Sequence, residues 1–377
     1  MVKPRGPICN LACDYCYYLP KKNLYPKSDF RMSHELLADF TRQMIAAQPI
    51  NEVIFTWQGG EPTLMGLEFF EEAVRLQQAL ARPGMQIGNA IQTNGTTLNS
   101  AWCRFFKQNN FLVGLSLDGP PDAHNPYRIN LSGRENYDSV MRAARLLKQN
   151  QVDFNMLCCV HPANVSNPLG VYRFLRDRVG TRFIQFIPIL QRELDAQGLE
   201  TKVLTEQSVN ADAYGNFLIT IFDEWVRKDV GNVFVQIFDV ALGVWVGQPA
   251  SLCVFAETCG QALVLEHNGD LYACDHFVNP AHLLGNITET PLVDLVESRR
   301  QTQFGQDKRE TLPQGCLDCQ LRFMCNGGCP KNRAEDGVNY LCSGYKAFFS
   351  HIDKPMQIMH DFLKLQRPPA EIMRLDQ

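Results

Sequence analysis

The sequence predicts an α/β protein. A partial, open (β/α)6 TIM-like barrel covers residues 1–231, and a cysteine-rich domain ending in a helix covers 232–377. Three observations carry this reading. Apolar runs of strand length alternate with stretches of helical periodicity, and each run is almost continuously apolar, as in a parallel sheet covered on its outer face by helices. Past about Asn232 that rhythm gives way to cysteines, glycines and short turns. Five strands, or six with residues 1–4, are too few to close an eight-fold barrel.

The elements follow in order. Cys9, Cys13 and Cys16, spaced C-x3-C-x2-C, come directly after the short first strand. Leu36, Leu37, Phe40, Met44 and Ile45 then recur at helical spacing behind Ser33, a fitting N-cap. The run 53–57 is β-branched and aromatic and stops at Gln58-Gly59-Gly60-Glu61-Pro62, which reads as a buried strand and a tight turn. The pattern repeats as helix 67–80, strand 86–92 ending at Thr93-Asn94-Gly95, helix 100–108, strand 111–117 ending at Asp118-Gly119-Pro120, and helix 135–149. Strand 152–160, a helix near 169–178, strand 182–190 and a long amphipathic segment 208–230 complete the barrel, and a final helix is expected over 344–363. In such sheets the chemistry lies at the carboxyl ends of the strands. Gln58, Glu61, Gln92, Asn94, Ser116 and Asp118 fall there, beside the cysteine loop.

Composition excludes several classes. With 36 basic against 40 acidic residues among 377, the net charge of −4 provides no global basic field for nucleic acid or an anionic membrane. No apolar run reaches the roughly 18 residues of a membrane span, and residues 1–7 lack the apolar core of a secretion signal. The expectation is a cytoplasmic protein that binds neither nucleic acid nor membrane. Fourteen cysteines then point to metal ligation, since disulfides are rare in a reducing compartment. Cys103, Cys158 and Cys159 lie in apolar surroundings and read as small buried hydrophobes.

The other eleven form two constellations. Three thiolates from one loop leave one iron of a cubane 4Fe-4S cluster open to a ligand that can react. Zinc is the alternative, but it needs a fourth ligand close by, and no histidine precedes His34. In the last third, Cys253-x5-Cys259-x14-Cys274 is followed by Cys316-x2-Cys319-x5-Cys325-x3-Cys329-x12-Cys342. Eight cysteines make two sets of four, enough for two fully ligated cubanes or for structural zinc.

The cysteine loop followed by Gly59-Gly60-Glu61-Pro62 resembles the radical S-adenosylmethionine superfamily, and the C-terminal cysteines resemble its SPASM extension. Trp57 to Leu64, Gln92 to Gly95, Val113 to Pro120, Cys274-Asp275-His276 and Cys325 to Pro330 all look like the anaerobic sulfatase-maturating enzymes, over nearly the whole chain. That resemblance implies S-adenosylmethionine and three 4Fe-4S clusters: one on Cys9, Cys13 and Cys16, one on Cys253, Cys259, Cys274 and Cys329, and one on Cys316, Cys319, Cys325 and Cys342. It implies that a 5'-deoxyadenosyl radical removes a hydrogen from a cysteine or serine of an unfolded sulfatase polypeptide, leading to Cα-formylglycine. Asp275 is the implied base, and the auxiliary clusters carry the substrate electron away. Tyr15 is implied near the adenine, Gly59 and Gly60 at the methionine amino group, and Arg128 as a planar fork for its carboxylate. Gln58, Glu61 and Ser116 join these cofactor contacts, and a reduced flavodoxin or ferredoxin-type protein supplies electrons. Relatives with all three cluster sites also crosslink or epimerise ribosomal peptides, which is the alternative function.

Overall fold

Strand-length apolar runs do become strands. In the computed structural model, which describes residues 1–195 and 200–375, these are β1 (Val2–Lys3), β2 (Glu52–Trp57), β3 (Gln86–Thr93), β4 (Phe111–Ser116), β5 (Phe154–Val160) and β6 (Phe183–Pro188). Six shorter ones follow: β7 (Arg192–Leu194), β8 (Glu200–Leu204), β9 (Phe234–Val235), β10 (Val264–Glu266), β11 (Asp270–Tyr272) and β12 (Leu283–Asn286). Two compact units result. Residues 1–116, 128–154 and 260–305 form the first, and 117–127, 155–259 and 306–377 the second. Compactness therefore divides the chain differently from composition, because the stretch 260–305, inside the cysteine-rich region, folds into the first unit.

The first unit holds a sheet in the order β12-β11-β10-β1-β2-β3-β4. β1 through β4 pair in parallel, and β1 pairs in parallel with β10 on its other side, Val2 with Leu265 and Lys3 with Glu266. β10, β11 and β12 then run antiparallel. The expected first strand, 1–4, is shorter than read: Pro4 has no N–H to donate, and Gly6 turns the chain back onto Lys3 O at 2.9 Å. Ser33 caps the helix His34–Ala46, its hydroxyl accepting from Leu36 N at 3.1 Å. Asn99 caps Ser100–Gln108 in the same way. Helices Leu67–Leu80 and Tyr137–Gln149 complete this unit's longer ones. The core is aromatic: Phe55, Trp57, Phe70, Phe106 and Phe111 are buried, each contributing about 1.5–3 kcal/mol. The one polar atom of Trp57, Nε1, donates to Asn89 Oδ1 at 2.8 Å.

In the second unit β5, β6 and β9 pair in parallel, so the strand-helix rhythm runs one strand past the expected boundary, into β9 and the helix Gln236–Trp245. The helix expected near 169–178 is α-helical only over Pro168–Arg173. It then widens into an i→i+5 turn closed by Gly180, whose left-handed φ of 71° lets its N–H reach Leu175 O. Ala211–Lys228 and Cys342–Lys364 are the long helices. They touch at glycines: a Cβ on Gly215 would lie 2.6 Å from Gly344 Cα, so no larger residue fits either position. Among the described residues no helix is long and apolar enough to cross a membrane.

Candidate active site

The cysteine loop is clamped to the strand ends by backbone. Gly60 N donates to Gly6 O at 2.8 Å and Glu61 N to Ile8 O at 2.9 Å. A Cβ on Gly60 would meet Ile8 O at 2.1 Å, so the glycine is what lets the two loops touch. Glu61 is wholly buried, and one of its carboxylate oxygens accepts from Thr63 N, Thr63 Oγ1 and Thr93 Oγ1 at 3.1, 2.5 and 2.8 Å. The other accepts from Asn94 N at 2.8 Å. Burial raises its pKa against those donors. Glu61 is thus a keystone between the ends of β2 and β3. Asn94 Nδ2 in turn donates to Asn10 Oδ1 at 2.9 Å and approaches Cys9 Sγ at 3.6 Å. On the far side Ala12 N donates to Ile129 O at 2.8 Å, and the Arg128 guanidinium lies 5.4 Å from the centre of the Tyr15 ring. Cys9, Cys13 and Cys16 are half-buried. Burial, with Glu61 nearby, pushes the Cys9 thiol up to about 12, so a metal must displace its proton.

Asp275 lies on the same rim. Its Oδ1 is 2.5 Å from Lys3 Nζ, from β1, and its Oδ2 accepts from Tyr17 Oη at 2.6 Å, one residue beyond Cys16. It is buried, 8% exposed. Burial disfavours its charged form, but Lys3, His276 and Tyr17 outweigh that and hold the carboxyl below the usual carboxylate range. Lys3 is itself buried, with its ammonium 4.1 Å from the centre of the Tyr18 ring. Tyr18 Oη donates to Glu266, directly across from Lys3 on β10. The result is a water-poor carboxylate, charged and held from two sides, bonded to the residue that follows the last of the three loop cysteines.

In the second unit Cys316, Cys319, Cys325 and Cys342 line one pocket with Arg322, Tyr345, Lys346 and Phe349. Among the described residues no three such side chains close on a point as a single ion requires. A pocket walled by four thiols suits a cubane, which presents an iron at each corner.

The matches to known proteins agree with this geometry. Residues 4–175 match the radical SAM superfamily and 253–320 the SPASM iron-sulfur cluster-binding domain. A serine-type anaerobic sulfatase-maturating enzyme of Bacteroides thetaiotaomicron is 45% identical over 99% of this chain and 94% of its own. The chain belongs to the anaerobic sulfatase-maturating enzymes. A cysteine-type member from Clostridium perfringens is 34% identical over 93% of this chain and 95% of its own. The solved structure "Native anSMEcpe with bound AdoMet and Cp18Cys peptide" superposes with a TM-score of 0.86 at 32% identity, covering 96% of this chain and 98% of that one. The radical SAM fold of a mostly parallel sheet with helices, the SPASM domain, and S-adenosylmethionine with 4Fe-4S clusters as cofactors follow from membership.

For a sulfatase-maturating enzyme the residues singled out from sequence fall unevenly. Tyr15, Gly59, Gly60, Glu61 and Arg128 gather round the cysteine loop, and Ser116 is buried at the end of β4. Gln58 turns its amide to Met1 Sδ. Of the three remaining cysteines, Cys103 and Cys158 are buried, whereas Cys159 is only half-buried. Sequence reasoning missed Lys3 and Tyr17. The available signal was a lysine inside a strand whose neighbours are apolar, together with the aromatic directly after the last loop cysteine.

Proposed function

We propose that this chain oxidises an active-site cysteine or serine of an unfolded sulfatase to Cα-formylglycine. The observation that carries it is the buried Asp275 carboxylate, bound by Tyr17 to the loop of Cys9, Cys13 and Cys16. Cys9, Cys13 and Cys16 would hold the cluster that binds S-adenosylmethionine, and that cofactor would supply the radical chemistry needed to remove a Cβ hydrogen. Asp275 takes the proton from the neighbouring hydroxyl or thiol, and an auxiliary cluster would accept the second electron, which yields the aldehyde or thioaldehyde. Lys3 keeps that carboxylate ionised, and Tyr17 fixes its orientation. Tyr15, Gln58, Gly59, Gly60, Ser116 and Arg128 form the cofactor pocket, with Glu61 holding its wall from behind.

Cys253, Cys259, Cys274 and Cys329 hold one auxiliary cluster, and the four pocket cysteines hold the other. Electrons come from a reduced flavodoxin or ferredoxin-type protein. The setting is the cytoplasm, where thiolate ligands stay reduced. Serine is the favoured substrate: two serine-type relatives are 45% and 39% identical, against 34% and 30% for two cysteine-type ones.

The test is anaerobic reconstitution and incubation with paired serine and cysteine sulfatase peptides, read by mass spectrometry. Aldehyde product from the serine peptide is expected. A crosslinked or epimerised peptide, with no aldehyde, would overturn the reading. Asp275→Asn should keep cofactor cleavage to 5'-deoxyadenosine yet lose roughly 10²–10⁴-fold in aldehyde formation.

A further inference from the structure

The helix Arg299–Glu310 reads as a solvated, highly charged segment, yet its Lys308 is wholly buried. The ammonium donates to the carbonyl oxygens of Cys253 at 2.7 Å and Val254 at 3.1 Å, and to that of Ala256. Those are all three donors an ammonium has. Arg333, 7% exposed, is set against it: Nη2 donates to Lys308 O at 2.7 Å, Nη1 to Thr311 Oγ1 at 3.1 Å, and Nε to Gly327 O at 3.3 Å. All of these acceptors are neutral. Neither cation has a carboxylate partner among the described residues, and an ion taken out of water without counter-charge is strongly disfavoured.

Both cations lie against the cysteine loops, Lys308 on the carbonyl of Cys253 and Arg333 on that of Gly327, between Cys325 and Cys329, whose thiols become anions when they ligate a cluster. Burial pushes the Lys308 ammonium down, and Cys259, Cys329 and Cys253 pull it back up. Arg333 is attracted to Cys316 and Cys325 of one proposed ligand set and to Cys329 and Cys259 of the other. Four thiolates outweigh the positive charge of a cubane core, so a loaded cluster is an anion, and reduction makes it more so.

We propose that Lys308 and Arg333 are the built-in counter-charges of the auxiliary clusters and set their reduction potentials: Lys308 acts on the cluster assigned to Cys253, Cys259, Cys274 and Cys329, and Arg333 on both. This rests on the ligand sets of the proposed function. Each cation favours the reduced form over the oxidised one, which eases electron acceptance from the substrate.

The experiment uses the full chain, reconstituted anaerobically, with iron and sulfide content followed by potentiometric titration monitored by electron paramagnetic resonance. Wild type that takes up no auxiliary clusters would refute the ligand assignment itself. Given loaded wild type, Lys308→Met is expected to lower one auxiliary potential and leave the other. Arg333→Gln lowers both, each by at least a tenfold change in reduced-to-oxidised ratio, about 59 mV for one electron. Lys308→Arg and Arg333→Lys hold the wild-type values. If the charge-removing variants lose iron while the charge-keeping ones load, the counter-charge role is supported in assembly. Equal potentials in all four variants, or equal loss of iron from all four, overturn the proposal.

Discussion

A lysine in a two-residue strand decides the chemistry of a carboxylate 272 positions away in sequence. Lys3→Met leaves Asp275 buried without its cation, a change that costs about 3–5 kcal/mol for a broken buried pair. The expected outcome is at least a 10²-fold fall in aldehyde formation with cofactor cleavage retained, measured by quantifying 5'-deoxyadenosine and peptide product together. Gly60→Ala acts earlier in the sequence of events. The added methyl meets Ile8 O, pushing the cysteine loop off the sheet, so iron content after reconstitution should drop by about one cluster's share. The two positions were not equally readable. Gly60 stood in a recognisable motif, whereas Lys3 did not, because lysines are normally solvated and two residues are too few to show an alternation.

Helices were read well because periodicity and caps agree. Ser33 starts the helix that Leu36, Leu37 and Phe40 bury, and the last helix runs from Cys342 to Lys364 straight through Pro355. Where one helix meets another is not visible in periodicity. Gly344 is such a point: a methyl there would lie 2.0 Å from Ala211 O, and Cys342 is only two residues upstream. Gly344→Ala should destabilise by about 1–3 kcal/mol and loosen Cys342 from the four-thiol pocket. Thermal unfolding together with iron content checks both parts. Loss of stability with the full iron complement would show that the pocket does not depend on this crossing. The helix Arg299–Glu310 shows the opposite limit, since a charged sequence concealed a buried ammonium.

At the scale of the molecule, sequence separated barrel from cluster domain by composition, while the folded chain interleaves them in its compact units. Strand pairing is responsible: β10 is three residues long and becomes a strand by pairing with β1 on one side and β11 on the other, which local pattern does not encode. Acid stability has an equally distributed origin. In the second unit Glu224 is held by Arg173 at 2.9 and 3.1 Å and by Arg176 at 3.0 Å, and Arg173 foremost draws its pKa from 4.5 down to about 2. A carboxyl depressed by folding stabilises above its unfolded value, and that contribution disappears as pH falls from 4.5 toward 2. Glu224→Gln should therefore cost about 1–2 kcal/mol near neutrality, allowing for solvent screening, and nothing near pH 2, as denaturant titrations across that range would show.

The strand Val264–Glu266 sits between the one that precedes the cysteine loop and the hairpin that presents Asp275. A fragment cut at residue 231 would strip β1 of β10, leave Lys3 facing solvent and discard Asp275 in a single excision. The cysteine-rich extension is accordingly not a detachable cassette that could be grafted onto another barrel, or removed from this one, with the reactive centre left whole.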